Sequence, residues 1–149
     1  MKKIIIPIAI IITLLACNST ENNAPATPLT AEEKVSSLQD SANFTTAEWI
    51  DSTSKNVGKV KKGQVVEIPY TIKNTGDKPL IISEVRPGCG CTVAEKPEKP
   101  IMPGEEEKIV AKFDSQHQNA GAHMKNVVVK ANTKPLTEYV LNFTVDVVE

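Results

Sequence analysis

Two stretches, QVVEIPYTIKN at Gln64–Asn74 and EYVLNFTVDVV at Glu138–Val148, alternate apolar and polar residues with a period of two. That period places every second side chain on one face, so each stretch buries its apolar face only as a strand of a half-covered sheet. In the first, Val66, Ile68, Tyr70 and Ile72 share a face, and Pro69, which has no N–H to donate, marks an edge or a bulge. In the last, Tyr139, Leu141, Phe143, Val145 and Val147 do the same. EKIVAKFD groups Ile109, Ala111 and Phe113, and NVVVKAN groups Val127, Val129 and Ala131. Turn signals separate these runs: NTGDKP at 74–79, Pro103-Gly104 with the residues of a type II turn, QNAG at 118–121 and NTKP at 132–135.

The spacing predicts about seven strands, over 44–50, 57–60, 65–73, 80–85, 108–113, 125–131 and 137–147, with a short piece at 92–94. No convincing helix interrupts them. The fold class this implies is all-β, an immunoglobulin-like antiparallel β-sandwich, with a small barrel as the alternative. The antibody hallmark of cysteine, tryptophan, cysteine is absent, because Trp49 precedes both Cys89 and Cys91.

The N-terminus is of another kind. In MKKIIIPIAIIITLLAC, Lys2 and Lys3 precede an apolar run from Ile4 to Leu15, and small Ala16 stands before Cys17. This order is that of an export signal, and the run falls short of the roughly 20 apolar residues a membrane span needs. LLAC looks like a bacterial lipobox, so Cys17 is the expected lipidation site, its thiol being the nucleophile of the stretch. The alternative is an ordinary cleaved signal with a chance cysteine. Residues 1–16 are therefore read as a lipoprotein signal peptide, 17–42 as a lipidated N-terminus and flexible linker, and 43–149 as the sandwich domain. Within the linker, Thr30-Ala31-Glu32-Glu33 reads as a capping box for a turn or two of helix. The expected location is extracytoplasmic, on a bacterial membrane, facing the periplasm or the cell surface.

Lipidation of Cys17 would leave Cys89 and Cys91 as the remaining thiols in an oxidising setting. Removing Lys2 and Lys3 from 17 basic residues against 18 acidic ones moves the formal charge from −1 to −3. The lysines are scattered among acids without a basic stripe, so no nucleic-acid partner is expected.

The ordered set NTGDKPL, CGCT, PG and FDS, followed by Gly121 and VVVKANT, resembles the bacterial exported family known as domain of unknown function 1573. The resemblance covers about 57–148 and implies an immunoglobulin-like fold of the major-sperm-protein type, often on lipoproteins, with no established activity. The family's cysteines map to Cys89 and Cys91. Where the family usually carries an aromatic and glycine pair, this chain has KNVG at 55–58, so Val57 would replace the packing aromatic.

GCGCT at 88–92 is the densest chemistry in the chain. In a regular strand Cys89 and Cys91 would lie about 6.6 Å apart at Cα, near the upper limit for a disulfide. Gly88 and Gly90 could relieve this by adopting positive φ and curling the segment into a corner ahead of Thr92. Three readings stay open: a structural corner holding two close thiols, a labile disulfide, and a soft-metal ligand pair for copper or zinc. The last would have to recruit Met102, His117, His123 or Met124. Loop histidines without a paired nucleophile, acids on alternating strand faces and no phosphate-cradling loop argue against an enzyme, and no cofactor is expected. The reading favoured is a non-enzymatic binding or scaffold module, held to the membrane by its lipid and meeting an envelope protein or glycan. DSA at 40–42 and DST at 51–53 also resemble an Asp-Ser/Thr-small acceptor for O-glycosylation, against the plainer reading of linker and turn residues.

Overall fold

The computed structural model describes Asp40–Glu149 together with Thr30, Glu32 and Ser36. Glu32 and Ser36 are helical, in line with the capping-box reading, while Cys17, the expected signal segment and most of the expected linker lie outside the described residues. A 3-10 turn at Ser41–Asn43, capped by the Asp40 carboxylate accepting from the Ala42 N–H at 2.9 Å, leads into eight strands. These are β1 (Ala47–Trp49), β2 (Ser54–Lys61), β3 (Val65–Asn74), β4 (Ile82–Pro87), β5 (Thr92–Glu95), β6 (Glu106–Asp114), β7 (Gly121–Ala131) and β8 (Glu138–Val148). They form two four-stranded sheets, ordered β1-β3-β6-β5 and β2-β8-β7-β4, packed as an immunoglobulin-like sandwich.

The alternation read from the sequence sets the core. Ile68, Tyr70 and Ile72 of β3 and Ile109, Ala111 and Phe113 of β6 are buried against Val127 and Val129 of β7 and Leu141, Phe143, Val145 and Val147 of β8. Each of the buried Val, Leu, Ile and Phe side chains contributes roughly 1.5–3 kcal/mol on leaving water. Phe113 and Phe143 meet edge-to-face across the two sheets, with ring centroids 5.8 Å apart.

Among the described residues the strand count is eight, where about seven and a short piece were expected, and one pairing of these strands is not antiparallel. The predicted strand at 44–50 shrinks to Ala47–Trp49, the one at 57–60 lengthens to Ser54–Lys61, and the piece near 92–94 is a full edge strand, β5. The cause is a crossing. β1 pairs antiparallel with β3, then Ile50–Thr53 carries the chain to the other sheet, where β2 runs parallel to β8. At the crossing the Asp51 carboxylate accepts from the Thr71 N–H at 2.9 Å, replacing the strand partner that β1 no longer supplies. That bond holds the Asp51 carboxyl below its usual range. Pro69 lies just past the end of β1, so its missing donor falls where β3 is locally an edge, and the Lys55 ammonium bonds its carbonyl. Gly58 takes φ +79° at a bulge beside Val57, which packs against the core.

Two buried asparagines tie the end of the sandwich where the chain enters. Asn74 donates to the carbonyls of Lys78 (2.7 Å) and Ile101 (2.8 Å) and accepts from Thr45 Oγ1 (3.0 Å) and the Gly76 N–H (3.1 Å). Asn132 donates to the carbonyls of Asn43 (2.7 Å) and Pro79 (3.0 Å) and accepts from the Ile81 N–H (2.7 Å). Gly76 is required by space, because a Cβ there would stand 2.1 Å from Thr45 Oγ1 and 2.6 Å from the Thr46 nitrogen.

Candidate functional site: the Cys89–Cys91 corner

β4 ends at Pro87 in one sheet and β5 begins at Thr92 in the other, so GCGC is the crossing between them. The Thr92 N–H donates to the Cys89 carbonyl at 3.3 Å, closing a β-turn over 89–92, and the Asp114 N–H fastens the Cys91 carbonyl to the end of β6 at 2.9 Å. Bending the segment brings the two Cα atoms to 5.3 Å, and Cys89 and Cys91 are joined by a disulfide. Both cysteines are half-buried. Thr92 is buried beneath them, its hydroxyl 3.5 Å from Cys89 Sγ and 3.8 Å from Cys91 Sγ.

The glycines serve differently from expectation. The left-handed φ values belong to Gly58, Gly63, Gly104 and Gly121, and neither Gly88 nor Gly90 needs one. Gly88 is small because it lies against β7: its N–H donates to the Asn126 carbonyl at 3.0 Å, and a Cβ would fall 2.1 Å from Asn126 Oδ1. Gly90 is exposed, and apart from its neighbours Cys89 and Cys91 nothing lies within 4 Å of where its side chain would be.

Beside the disulfide opens a pocket of about 220 Å³ lined by Gly90, Cys91, Asp114, His117 and Gln118. The loop after β6 builds its far wall. Buried Ser115 anchors that loop by donating to the carbonyls of Gln64 (2.8 Å) and Lys61 (3.0 Å). Asp114 Oδ1 accepts from the Gln116 N–H at 2.8 Å, and Gln118 Oε1 accepts from the Lys125 ammonium at 3.2 Å. His117 is exposed at the rim.

Of the soft ligands considered with Cys89 and Cys91, the pocket gathers His117. His123 bonds the Asn119 carbonyl at 2.7 Å, while Met124 and Met102 are exposed side chains outside the pocket lining. Among the described residues no group of three His, Cys, Asp or Glu is placed to hold a metal ion. In the two Asp-Ser motifs, Asp40 caps the 3-10 turn and Asp51 patches the strand crossing, and Ser41 and Ser52 are exposed. Sequence reasoning missed the Asp114 and Gln118 side of the pocket. FDS at 113–115 was visible as a motif, but its place opposite Cys91 depends on the pairing of β5 with β6.

A closed three-residue ring adds little chain constraint. Extending the loop-entropy relation to so short a loop gives roughly 1.5 kcal/mol, about half the value for a 15-residue loop. The bond is thus a minor part of what holds the sandwich together.

An immunoglobulin-like sandwich with a Cys-Gly-Cys crossing between its sheets defines the class. The chain belongs to the protein family of unknown function DUF1573, whose model matches residues 47–147. It is similar to the crystal structure of a protein of unknown function from Porphyromonas gingivalis W83, at 17% identity and a TM-score of 0.63, covering 72% of this chain and 49% of that one. The chain thus spans about half the length of that relative. It is also similar to PapD-like domain 7 of human CEP192 (13% identity, TM-score 0.48, 70% of this chain and 85% of that one). The periplasmic chaperone SfaE is a further likeness (13% identity, TM-score 0.45, 68% and 56%). No curated protein matches the chain.

Proposed function

We propose that this chain is a lipid-anchored, extracytoplasmic binding module that acts by engaging an envelope protein or glycan. The observation that carries this reading is the outward face of β7 and β8. There Val128 and Val140 stand side by side in the sheet register, and Met124 lies further along the same face. Met124 is 74% and Val140 47% exposed. The other sheet also exposes Val65 and Val93, but they stand apart on β3 and β5 with β6 between them. There Lys112 sits between Glu95 (2.8 Å) and Glu67 (3.2 Å), which hold its ammonium above the usual range. Apolar side chains that adjoin across two strands, as Val128 and Val140 do, suit a contact surface better than ones scattered singly. The signal order ending at Cys17 supports the anchor, and the Asn, Thr and Pro content after it suits a spacer that lifts the domain from the membrane.

The test is a photo-cross-linking side chain introduced at Met124 or, as control, at Lys108 on the opposite sheet, in cells carrying the full chain. Cross-linking to a discrete envelope component from position 124, abolished by Val140→Asp, is expected. Equal labelling from both positions, or labelling that survives Val140→Asp, would reject this face. Labelled fatty acid retained by Cys17→Ser would reject the anchor.

A further inference from the structure

The geometry around the corner points to an activity separate from surface binding: we infer that Cys89–Cys91 is a thiol–disulfide exchange site that accepts two electrons from a protein or peptide dithiol. The inference does not depend on the anchor or on the β7–β8 face.

Three observations carry it. The bond joins residues two apart in sequence, so it encloses too little chain to be explained as a fold clamp. It can be approached from outside, because Cys91, though packed on one side against the core, lines the pocket together with exposed Gly90 and His117. Its two sulfurs also have different surroundings. Cys91 lines the pocket with His117 and Asp114, whereas Cys89 is outside that lining and has the closer contact with the Thr92 hydroxyl.

This asymmetry gives the step a direction. An incoming thiol loses its proton to the His117 imidazole, and the thiolate attacks Cys91 Sγ from the pocket. A bond forms between the partner's sulfur and Cys91 Sγ, the Cys89–Cys91 bond breaks, and its electron pair leaves on Cys89 Sγ. The Thr92 hydroxyl donates to that developing thiolate; a better-stabilised leaving sulfur departs faster. The partner's second thiol then attacks its own sulfur in the mixed disulfide and releases Cys91. In total the partner's dithiol becomes a disulfide, Cys89 and Cys91 become two thiols, and two electrons and two protons move to this chain. Asp114 keeps a carboxylate at the mouth of the pocket, favouring a dithiol segment flanked by basic residues.

The experiment uses the oxidised, folded full chain with dithiothreitol as the dithiol probe, scoring reduction by alkylation and intact mass. Reduction in the folded state should be faster than in the urea-unfolded chain, and should lower the melting temperature by no more than about 10 °C. His117→Ala and Thr92→Val should each slow it at least about tenfold, with Thr92→Ser restoring the rate and controlling for the buried position. With oxidised glutathione, Cys89→Ser, which retains Cys91, should form the mixed disulfide at least about tenfold faster than Cys91→Ser. Reduction that occurs only on unfolding, equal glutathione adduct rates, or rates unmoved by both His117→Ala and Thr92→Val would overturn the inference.

Discussion

The Tyr70 hydroxyl crosses the sandwich to donate to the Asn142 carbonyl at 2.7 Å, linking β3 in one sheet to β8 in the other. The ring is fully buried and the Lys55 ammonium lies 4.9 Å from its centroid. Tyr70→Phe keeps the packing but leaves a carbonyl without its donor. It should cost about 1–2 kcal/mol in urea unfolding at neutral pH.

The same residue sets an alkaline limit. Burial pushes the Tyr70 hydroxyl from 10.0 up to about 12. A value raised in the folded state means that the stability contributed is whole below pH 10 and is lost as pH rises through about 12. The margin of the native chain over Tyr70→Phe should therefore shrink across that window. A margin that stays constant from pH 9 to pH 12 would show that Tyr70 titrates as it does in the unfolded chain.

Three glycines should rank by what stands beside them. Gly76→Ala drives a Cβ into Thr45 Oγ1 and the Thr46 backbone, so it should cost about 2–3 kcal/mol or more. Gly88→Ala meets the end of an exposed Asn126 side chain that can turn aside, so its cost should be about 1 kcal/mol and should fall when combined with Asn126→Ala. Gly90→Ala meets nothing and should lie within about 0.5 kcal/mol of the native chain. Thermal melts of the three variants and the double variant check the order; Gly90→Ala ranking first would contradict it.

This ranking also shows where a sequence stops being legible. The buried faces of β3, β6, β7 and β8 follow from a period of two, which is a local property, and Ile68, Phe113, Val129 and Phe143 lie where the pattern puts them. The crossing from β1 to β2 and the parallel partner β8 are non-local, and nothing in IDSTS marks them. At the corner the two glycines and two cysteines announce a tight bend. Which glycine is sterically required depends on Asn126, 38 residues away by the numbering. Asn74 and Asn132 are harder still, because asparagine at the end of a strand reads as an exposed turn. A usable sign was present in the repeat of Asn-Thr at the ends of β3 and β7, as NTG at 74–76 and NTK at 132–134.

Asn132 is the sharper test of that hub. Its side chain is fully buried, with both amide hydrogens used on the carbonyls of Asn43 and Pro79 and its oxygen on the Ile81 N–H. Asn132→Ala removes three bonds at once: the Asn43 and Pro79 carbonyls belong to exposed residues, while the Ile81 N–H is stranded in the interior. A stranded buried group costs about 1–3 kcal/mol and each further lost hydrogen bond about 0.5–1, which places the variant roughly 2–4 kcal/mol below the native chain, a melting shift of roughly 10–25 °C for a domain of this size. Asn132→Asp keeps the shape and the acceptor but turns two donors into acceptors facing carbonyls, so it should be no better than alanine. The damage should also have a direction. Because Asn43 is held by the Asn132 amide, and the Thr45 N–H by the Asn132 carbonyl at 3.0 Å, loosening should start where the chain enters the sandwich. Hydrogen exchange should rise first at Thr45 and around β1, with β6 and β8 protected until global unfolding. Exchange that rises uniformly, or a melting temperature within a few degrees of the native value, would mean that Asn132 fills space without organising the entry.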